Sequence, residues 1–586
     1  MNKSFPYLVG LGVALVCLVL AGLAGSADGA ALAAGQSAGG QAKAELPTKP
    51  YLQAKPEDVL RWRQMKFGMF IHWGPVSLVG TEIGWSRGGP RRGTGGTGEI
   101  PLDVYDNLYK KFNPVRFDAA EWVEIAKAAE MRYMVFTSRH HDGFTNFDSQ
   151  VTDYKITSPQ SPYRKDLVKQ LADACHQGGL AWGVYYSQPD WHHPDYRTPN
   201  HARYVKYLHE QVRELMANYG RVDVLFFDGL GGSAKDWDAE NLFRSIRTLQ
   251  PHVVINDRCG LAADYDTPEQ RVGAMQTSRP WETCMTIGDQ WAWKPNDRIK
   301  SLKQCLQTLV RVVGGDGNLL FNVGPMPDGR IEPRQVERLR EMGQWLRQYG
   351  QSLYGTRGGP FPRTGSIAAT CKDRTVYVHL LDPRIAPVVL PPIYKKIVSS
   401  RVLTGGTVAV KQTAESIEIS VPAADRKDID TIVVLELDGP AAEVKPGRLA
   451  SDSLGAGKKA RASNVFQNMV DEYGPQRAFD DDPETRWATD AGTRQAWLEV
   501  DLGEPRSIDR VRICESYAPR VERFELQAKQ GDAWTTFHRG TQIGEDCLLK
   551  FPPVTARVFR LNVLQATEGP TIWEFQLLQA RKPGNP

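Results

Sequence analysis

The chain has 586 residues, too many for one domain, and its 41% apolar and 24% charged content is that of a soluble globular protein. Its 72 basic and 68 acidic residues are well mixed, so the net charge of +4 comes with no block of like charge and excludes a nucleic-acid surface. Fifteen tryptophans and twenty tyrosines are a generous supply of aromatic faces, which pack well on sugar rings as well as in cores.

At the N-terminus, Met1-Asn2-Lys3, an apolar run from Tyr7 to Leu23 and the small residues Ala24–Ala30 read as an export signal over residues 1–30. The mature protein is then periplasmic or extracellular. An uncleaved anchor is the alternative reading of the same run. No other segment is long and apolar enough to cross a membrane, so no stable span is expected after cleavage. Cys17 lies inside the signal; Cys175, Cys259, Cys284, Cys305, Cys371, Cys514 and Cys547 are scattered and lack metal-like spacing. Residues 31–45, rich in Ala, Gly and Gln, form a flexible leader.

From residue 46 to 358, strands and helices alternate. The first strand, Phe67–His72, leads into Trp73-Gly74-Pro75 and a Gly/Arg-rich loop, Ser86–Gly98. Asp118 caps a helix with Trp122, Ile125, Ala126 and Ala129 on one face. Strand Tyr133–Thr137 ends in Ser138-Arg139-His140-His141-Asp142-Gly143, and helix Asp166–His176 stops at Gly178-Gly179. Strand Leu180–Tyr186 and helix Asn200–Tyr219 precede Val222–Gly229, whose run Val224–Phe227 reads as a strand buried on both faces and closes on Asp228. Helix Ala239–Leu249, strand His252–Ile255, a weaker strand Trp281–Ile287, helix Asp297–Val313, strand Asn318–Val323 and helix Pro333–Gly350 complete the pattern. Alternation of this kind means a parallel sheet with helical crossovers, here an α/β fold of the TIM-like (β/α) barrel type with one strand irregular or missing. The rival open doubly wound sheet lacks its Gly-x-Gly-x-x-Gly after a strand.

Beyond Gly359 the runs are short, alternating and β-branched: Val376–Leu380, Ile397–Leu403, Ser416–Val421 and Ile429–Leu437 predict a small antiparallel sandwich over 359–439. Residues 440–460, rich in Pro, Gly, Ala and Lys, read as a linker. Strands resume at Ala496–Leu502, Ile508–Ile513, Arg523–Ala528, Arg557–Val563 and Thr571–Leu578, a second all-β sandwich over 461–582.

In a barrel the carboxyl ends of the strands converge on one mouth. Here they carry His72, His140, His141, Tyr185, Tyr186, Asp228 and Arg258, with Glu269 and Glu282 beyond. Two carboxylates among histidines and aromatics suit glycoside cleavage, one as nucleophile and the other as proton donor. Adjacent histidines can also bind metal, although they lack the i, i+4 spacing of a helical zinc motif. Gly-x-Ser-x-Gly occurs at Gly35–Gly39 and at Gly84–Gly88, but neither stands between a strand and a helix, so no nucleophile elbow supports a serine hydrolase.

Six segments in order, Phe67–Pro75, Arg139–Phe144, Gly183–Ser187, Phe227–Gly229, Trp281–Cys284 and Gly317–Pro325, resemble the α-L-fucosidases of glycoside hydrolase family 29. That resemblance implies a retaining exo-hydrolase acting on fucosylated oligosaccharides or polysaccharides, with no cofactor for catalysis. It puts Asp228 at the nucleophile position, and His72, His140, His141, one of Tyr185 and Tyr186, and Arg258 at fucose-binding positions. Two glutamates compete for acid/base: Glu269, in a Thr-Pro-Glu segment like the family's, is favoured over Glu282 of the Trp-Glu motif. Glu82 and Trp85 stand where the family has Glu-Trp-Tyr, and Trp291-Ala292-Trp293 replaces its Trp-Gly-Tyr, so Trp85 and Trp291 are expected on the leaving-group side. A non-catalytic glycan-binding protein on the same frame and an exo-glycosidase for a related sugar are the competing readings.

The C-terminal segments Ala478–Trp487 and Trp497–Gly503 resemble the discoidin, or coagulation factor 5/8 type C, domain, often classed as a family 32 carbohydrate-binding module. The resemblance implies a structural calcium held by the Arg477 carbonyl, Asp480, Asp482, Thr485 and Glu574. Oxygen donors so closely spaced in a turn suit a hard cation, while an acidic turn without metal is the alternative.

Overall fold

The structure, a computed structural model, describes residues 51–579 apart from 231, 274, 385–386, 447–452, 482–484, 516–518 and 545. The expected export signal and leader, and Asp482, lie outside the described residues, and none of the described helices is long and apolar enough to cross a membrane.

Seven parallel strands form the first sheet: β1 (Phe67–Ile71), β2 (Tyr133–Arg139), β3 (Ala181–Ser187), β4 (Val224–Asp228), β5 (Val254–Ile255), β6 (Glu282–Thr286) and β7 (Asn318–Val323), in the order β5-β4-β3-β2-β1-β7-β6. The gap between β5 and β6 is spanned by residues 264–270. Single parallel bridges join Asn256 to Tyr265, Asp266 to Trp281 and Glu269 to Cys284. Backbone bonds from Asp264 N to Ile255 O (2.9 Å) and from Gln270 N to Cys284 O (3.0 Å) tie both sides. This is the irregular eighth strand of a closed barrel. Its irregularity follows from Pro268, which lacks an N–H, and from positive φ at Ala263 and Gln270.

Residues of period two fill the barrel interior: Phe70, Tyr133, Val135, Tyr185, Val224, Phe226, Val254, Tyr265, Cys284 and Leu320 form one buried cluster. Trp62, on the helix Pro56–Met65, plugs the amino end, its ring 4.3 Å from that of Tyr265. Gly68 on β1 has no alternative, because a Cβ there would lie 2.4 Å from the Tyr133 ring.

The outward residues of the same strands, with the helices around them, make the largest core. Asp118 caps its helix by accepting from Ala120 N and Glu121 N, and Asp166 caps the next from Lys169 N, with left-handed Gly179 at its end. The helix expected from Asp297 begins instead at Leu302. Ser301 and Gln304 form a capping box there, while Asp297 accepts the backbone N–H of Asp289.

A five-stranded and a three-stranded antiparallel sheet enclose the second core, and Arg357–Gly358 already pairs with the strand Ile367–Lys372, just before the change of pattern at Gly359. The third unit is one strongly bent seven-stranded sheet. Two of its strands, Ala496–Glu515 and Cys547–Ala566, run 20 residues each through bulges, so the sheet folds over its own core. Ser453 bridges Leu578, so the described end of the expected linker joins this sheet. All seven described cysteines are free thiols.

Candidate active site

The carboxyl ends of the barrel strands gather Phe70, His72, Trp85, His140, His141, Tyr185, Phe226, Asp228, Leu230, Arg258, Glu269, Cys284 and Trp291 around one pocket. Asp228 ends β4, where the side chain of Asn256 continues the ladder by accepting from Phe227 N (2.9 Å) and donating to Phe227 O (2.8 Å). Gln188 accepts from Asp228 N at 2.8 Å. The backbone beneath the carboxylate is thus pinned from both sides. The Asp228 side chain is 12% exposed. Its Oδ2 accepts from the Tyr185 hydroxyl at 2.8 Å and its Oδ1 from Arg258 Nη1 at 3.1 Å. The same Arg258 nitrogen is 2.8 Å from Glu269 Oε2. Glu269, at the end of the irregular strand, has a side chain 41% exposed and so reaches solvent.

Three imidazoles form one wall. His140 stacks on Tyr185 at 5.5 Å and packs 4.1 Å from His141. Gly84 lets it sit there: a Cβ would come 2.8 Å from His140 Nδ1, and the glycine holds φ +67°. Burial depresses the pKa of all three, His72 to about 4 and the other two well below the ordinary range, helped for His140 and His141 by neighbouring rings. They are neutral near pH 7. Ligand atoms of His140, His141 and Asp228 lie within 4.8 Å of one another, close enough to hold a metal ion.

The aromatic rim is anchored rather than loose. The Trp291 ring lies 4.7 Å from His72, and Glu82 holds the turn beneath it by accepting from Trp291 N (3.0 Å) and Ala292 N (3.2 Å). Burial pushes the Glu82 carboxyl up to about 7. Trp85 stands edge-on to His141 and to Trp191. Within the Gly/Arg-rich loop, Arg87 is buried and paired with Asp106.

Two expected site residues belong elsewhere. Tyr186 faces outward from β3: its hydroxyl donates to Gln211 and its ring carries the Arg139 guanidinium at 4.3 Å. Only Tyr185 points into the barrel, as alternation along a strand requires. Glu282 is the first residue of β6, at the end opposite the mouth. Fully buried, it accepts from the Tyr133 hydroxyl, and burial raises its pKa to about 8. On the same inward face Cys284, two residues on, lines the pocket. Glu282 therefore sits a layer too deep to protonate a leaving group. Ser187, Gln188 and Asn322 were not singled out, since their parts are played only through hydrogen bonds to the residues above.

A profile of the alpha-L-fucosidase family matches residues 35–351 and one of the F5/8 type C domain matches residues 459–575. The chain belongs to the α-L-fucosidases of glycoside hydrolase family 29. It is similar to plasma alpha-L-fucosidase of Homo sapiens, 32% identical over 328 residues, covering 50% of this chain and 68% of that one. Among solved structures it is similar to alpha-L-fucosidase isoenzyme 1 from Paenibacillus thiaminolyticus, with 34% identity, a TM-score of 0.59 and coverage of 65% of this chain and 99% of that one. Thermotoga maritima alpha-fucosidase in complex with fucose matches at 30% identity and a TM-score of 0.56, over 64% of this chain and 96% of that one. This fucosidase is a glycoside hydrolase, and its substrates are fucosylated glycans.

In the C-terminal domain, Thr485 Oγ1 donates to the Asp480 carboxylate (2.8 Å) and lies 3.2 Å from the Arg477 carbonyl, and Glu574 is buried on the last strand. Arg477, Asp480 and Thr485 bring oxygen atoms together there, the chemistry that a hard cation such as calcium takes.

Proposed function

We propose that this fucosidase is an exported, retaining exo-hydrolase that removes terminal α-L-fucose by double displacement. Asp228 is the nucleophile and Glu269 the acid/base. The observation that carries this reading is the shared contact at Arg258 Nη1. With Asp228 Oδ1 at 3.1 Å and Glu269 Oε2 at 2.8 Å from one nitrogen, the two oxygens are at most about 6 Å apart. A retaining pair needs about 5–5.5 Å and an inverting pair roughly 6.5–9.5 Å, with water between.

In the first step an Asp228 oxygen bonds to the anomeric carbon as the glycosidic bond breaks, and Glu269 gives its proton to the leaving oxygen. In the second, Glu269 takes a proton from water, whose oxygen displaces Asp228. Arg258 and the Tyr185 hydroxyl hold Asp228 in aim, and the neutral histidines meet sugar hydroxyls. A cavity of about 350 Å3, sharing Asp228, Leu230 and Arg258 with the pocket and lined further by Gly232, Asp257 and Gly260, gives the leaving group room. Export is supported by the pattern of residues 1–30. The Arg477, Asp480, Thr485 and Glu574 oxygens, with Asp482, would hold a structural calcium that braces the glycan-binding module.

The clustering of His140, His141 and Asp228 favours one second reading, a metal at the pocket floor. NMR of the first-formed product from 4-nitrophenyl α-L-fucoside, with and without chelator, tests both. Retention predicts α-fucose first and no chelator effect on turnover. First-formed β-fucose would sink double displacement, and chelator-abolished turnover would favour the metal.

A further inference from the structure

The hydrogen bonds behind the pocket fix which nitrogen of two histidines carries the proton. Ser187 Oγ donates to the Pro189 carbonyl at 2.7 Å and lies 2.6 Å from His141 Nδ1. A hydroxyl has one proton, so His141 must donate at Nδ1. Asn322 Nδ2 donates to the Trp291 carbonyl at 2.7 Å, which turns its Oδ1 toward His72 Nδ1, also at 2.7 Å. A flipped amide would set oxygen against oxygen, so His72 donates at Nδ1 as well.

Both rings are neutral, so each keeps a bare lone pair at Nε2. That of His141 stands 3.5 Å from Asp228 Oδ2, acceptor facing acceptor, so a group that enters there must bring a proton to donate. His140 differs, since its buried Nδ1 has no hydrogen-bond partner to set the tautomer.

We propose that Ser187 and Asn322 are positioning residues that lock His141 and His72 as hydrogen-bond acceptors, so that the pocket takes only a terminal sugar with free hydroxyls to donate at both points. This rests on the fucosidase reading and narrows it to unsubstituted terminal fucose. A unit O-acetylated or O-sulfated at either position has no proton to give, and a sulfate would also set its charge against Asp228.

The test has two arms. Nitrogen-15 spectra of histidine-labelled full-length enzyme without sugar, assigned with H72Q and H141Q, should show Nδ1–H and a bare Nε2 for both residues. S187A should turn the His141 signals into a tautomer mixture and leave those of His72 unchanged. An Nε2–H form at either site in the wild type, or no response of His141 to S187A, would overturn the proposal.

In the second arm, binding is measured for methyl α-L-fucoside and analogues with each ring hydroxyl replaced in turn by hydrogen or fluorine. At two positions both replacements should weaken binding alike, by about tenfold or more, because fluorine cannot donate. Fluoro analogues that keep the parent's affinity where the deoxy analogues lose it would refute the acceptor assignment. The spectra need no sugar, so failure to bind any fucoside would count against the fucosidase reading while the tautomers stayed measurable.

Discussion

Replacing Glu282 by glutamine keeps the shape of a buried side chain and removes its ability to ionise. Burial raises this carboxyl from 4.5 to about 8, so near neutrality the folded protein keeps a proton that the unfolded chain has released. Between those values the folded state binds more protons, and stability must fall as pH rises, by about 1.4 kcal/mol per unit. Integrated from pH 6 to pH 8, where ionisation of the folded form begins to relieve the slope, the loss is roughly 2 kcal/mol.

Denaturant unfolding of wild type and E282Q at pH 6, 7 and 8 reads this directly. The variant should lack that part of the slope. Its turnover should stay within a few-fold of wild type on an aryl fucoside and on a natural disaccharide alike, because Glu282 sits beneath the pocket against Tyr133. Equal pH slopes in the two proteins would refute the buried neutral acid. A loss of turnover that deepens with the poorer leaving group would move the acid/base role to Glu282.

Glu269→Ala should show that leaving-group dependence itself: a modest loss on the aryl fucoside and about 10²–10⁴-fold on the disaccharide, measured as kcat for each. Acid should weaken the enzyme through its histidines. His72 titrates at about 4 folded against 6.5 unfolded, so the unfolded chain binds more protons in that window and stability is lost as pH falls through it, by roughly 3 kcal/mol at most for this residue. Unfolding free energy that stays flat from pH 6.5 to 4 in wild type, or a slope unchanged in H72Q, would contradict this. Chelator should lower the melting temperature of the C-terminal domain and leave kcat on aryl fucoside unchanged; a melting curve indifferent to calcium would remove the metal from the account.

The barrel was legible because parallel strands buried on both faces are continuous apolar runs, as in Val224–Phe227, and because glycines and capping acids punctuate the helices between them. The eighth strand was not, since Pro268 and the bends at Ala263 and Gln270 erase any periodicity. That loss matters for the site. Only with residues 264–270 bridged to β6 does Glu269 rise to the mouth and Glu282 drop to the floor. Tyr185 and Tyr186 are equally apolar neighbours in sequence, and the face each takes is fixed by register: Tyr185 lies beside Phe226 and Ser187 beside Asp228. Asp228 was readable as an acid closing a strand buried on both faces, although Asp228-Gly229 by itself reads equally well as a turn. Ser187 and Asn322 were not, because a polar residue at a strand end announces a hydrogen bond but not its partner.

The central claim is that Asp228 forms a covalent bond to fucose, and the mass of the trapped enzyme tests it most directly. With 2-deoxy-2-fluoro-α-L-fucosyl fluoride, the electron-withdrawing fluorine slows both steps through the oxocarbenium-like transition state while fluoride departs readily, so the intermediate should accumulate. One added fluorofucosyl unit on the full chain, mapped to the peptide bearing Asp228 and absent in D228N, is the expected result. An adduct on another residue, or uninterrupted turnover of the reagent by D228N, would contradict the account.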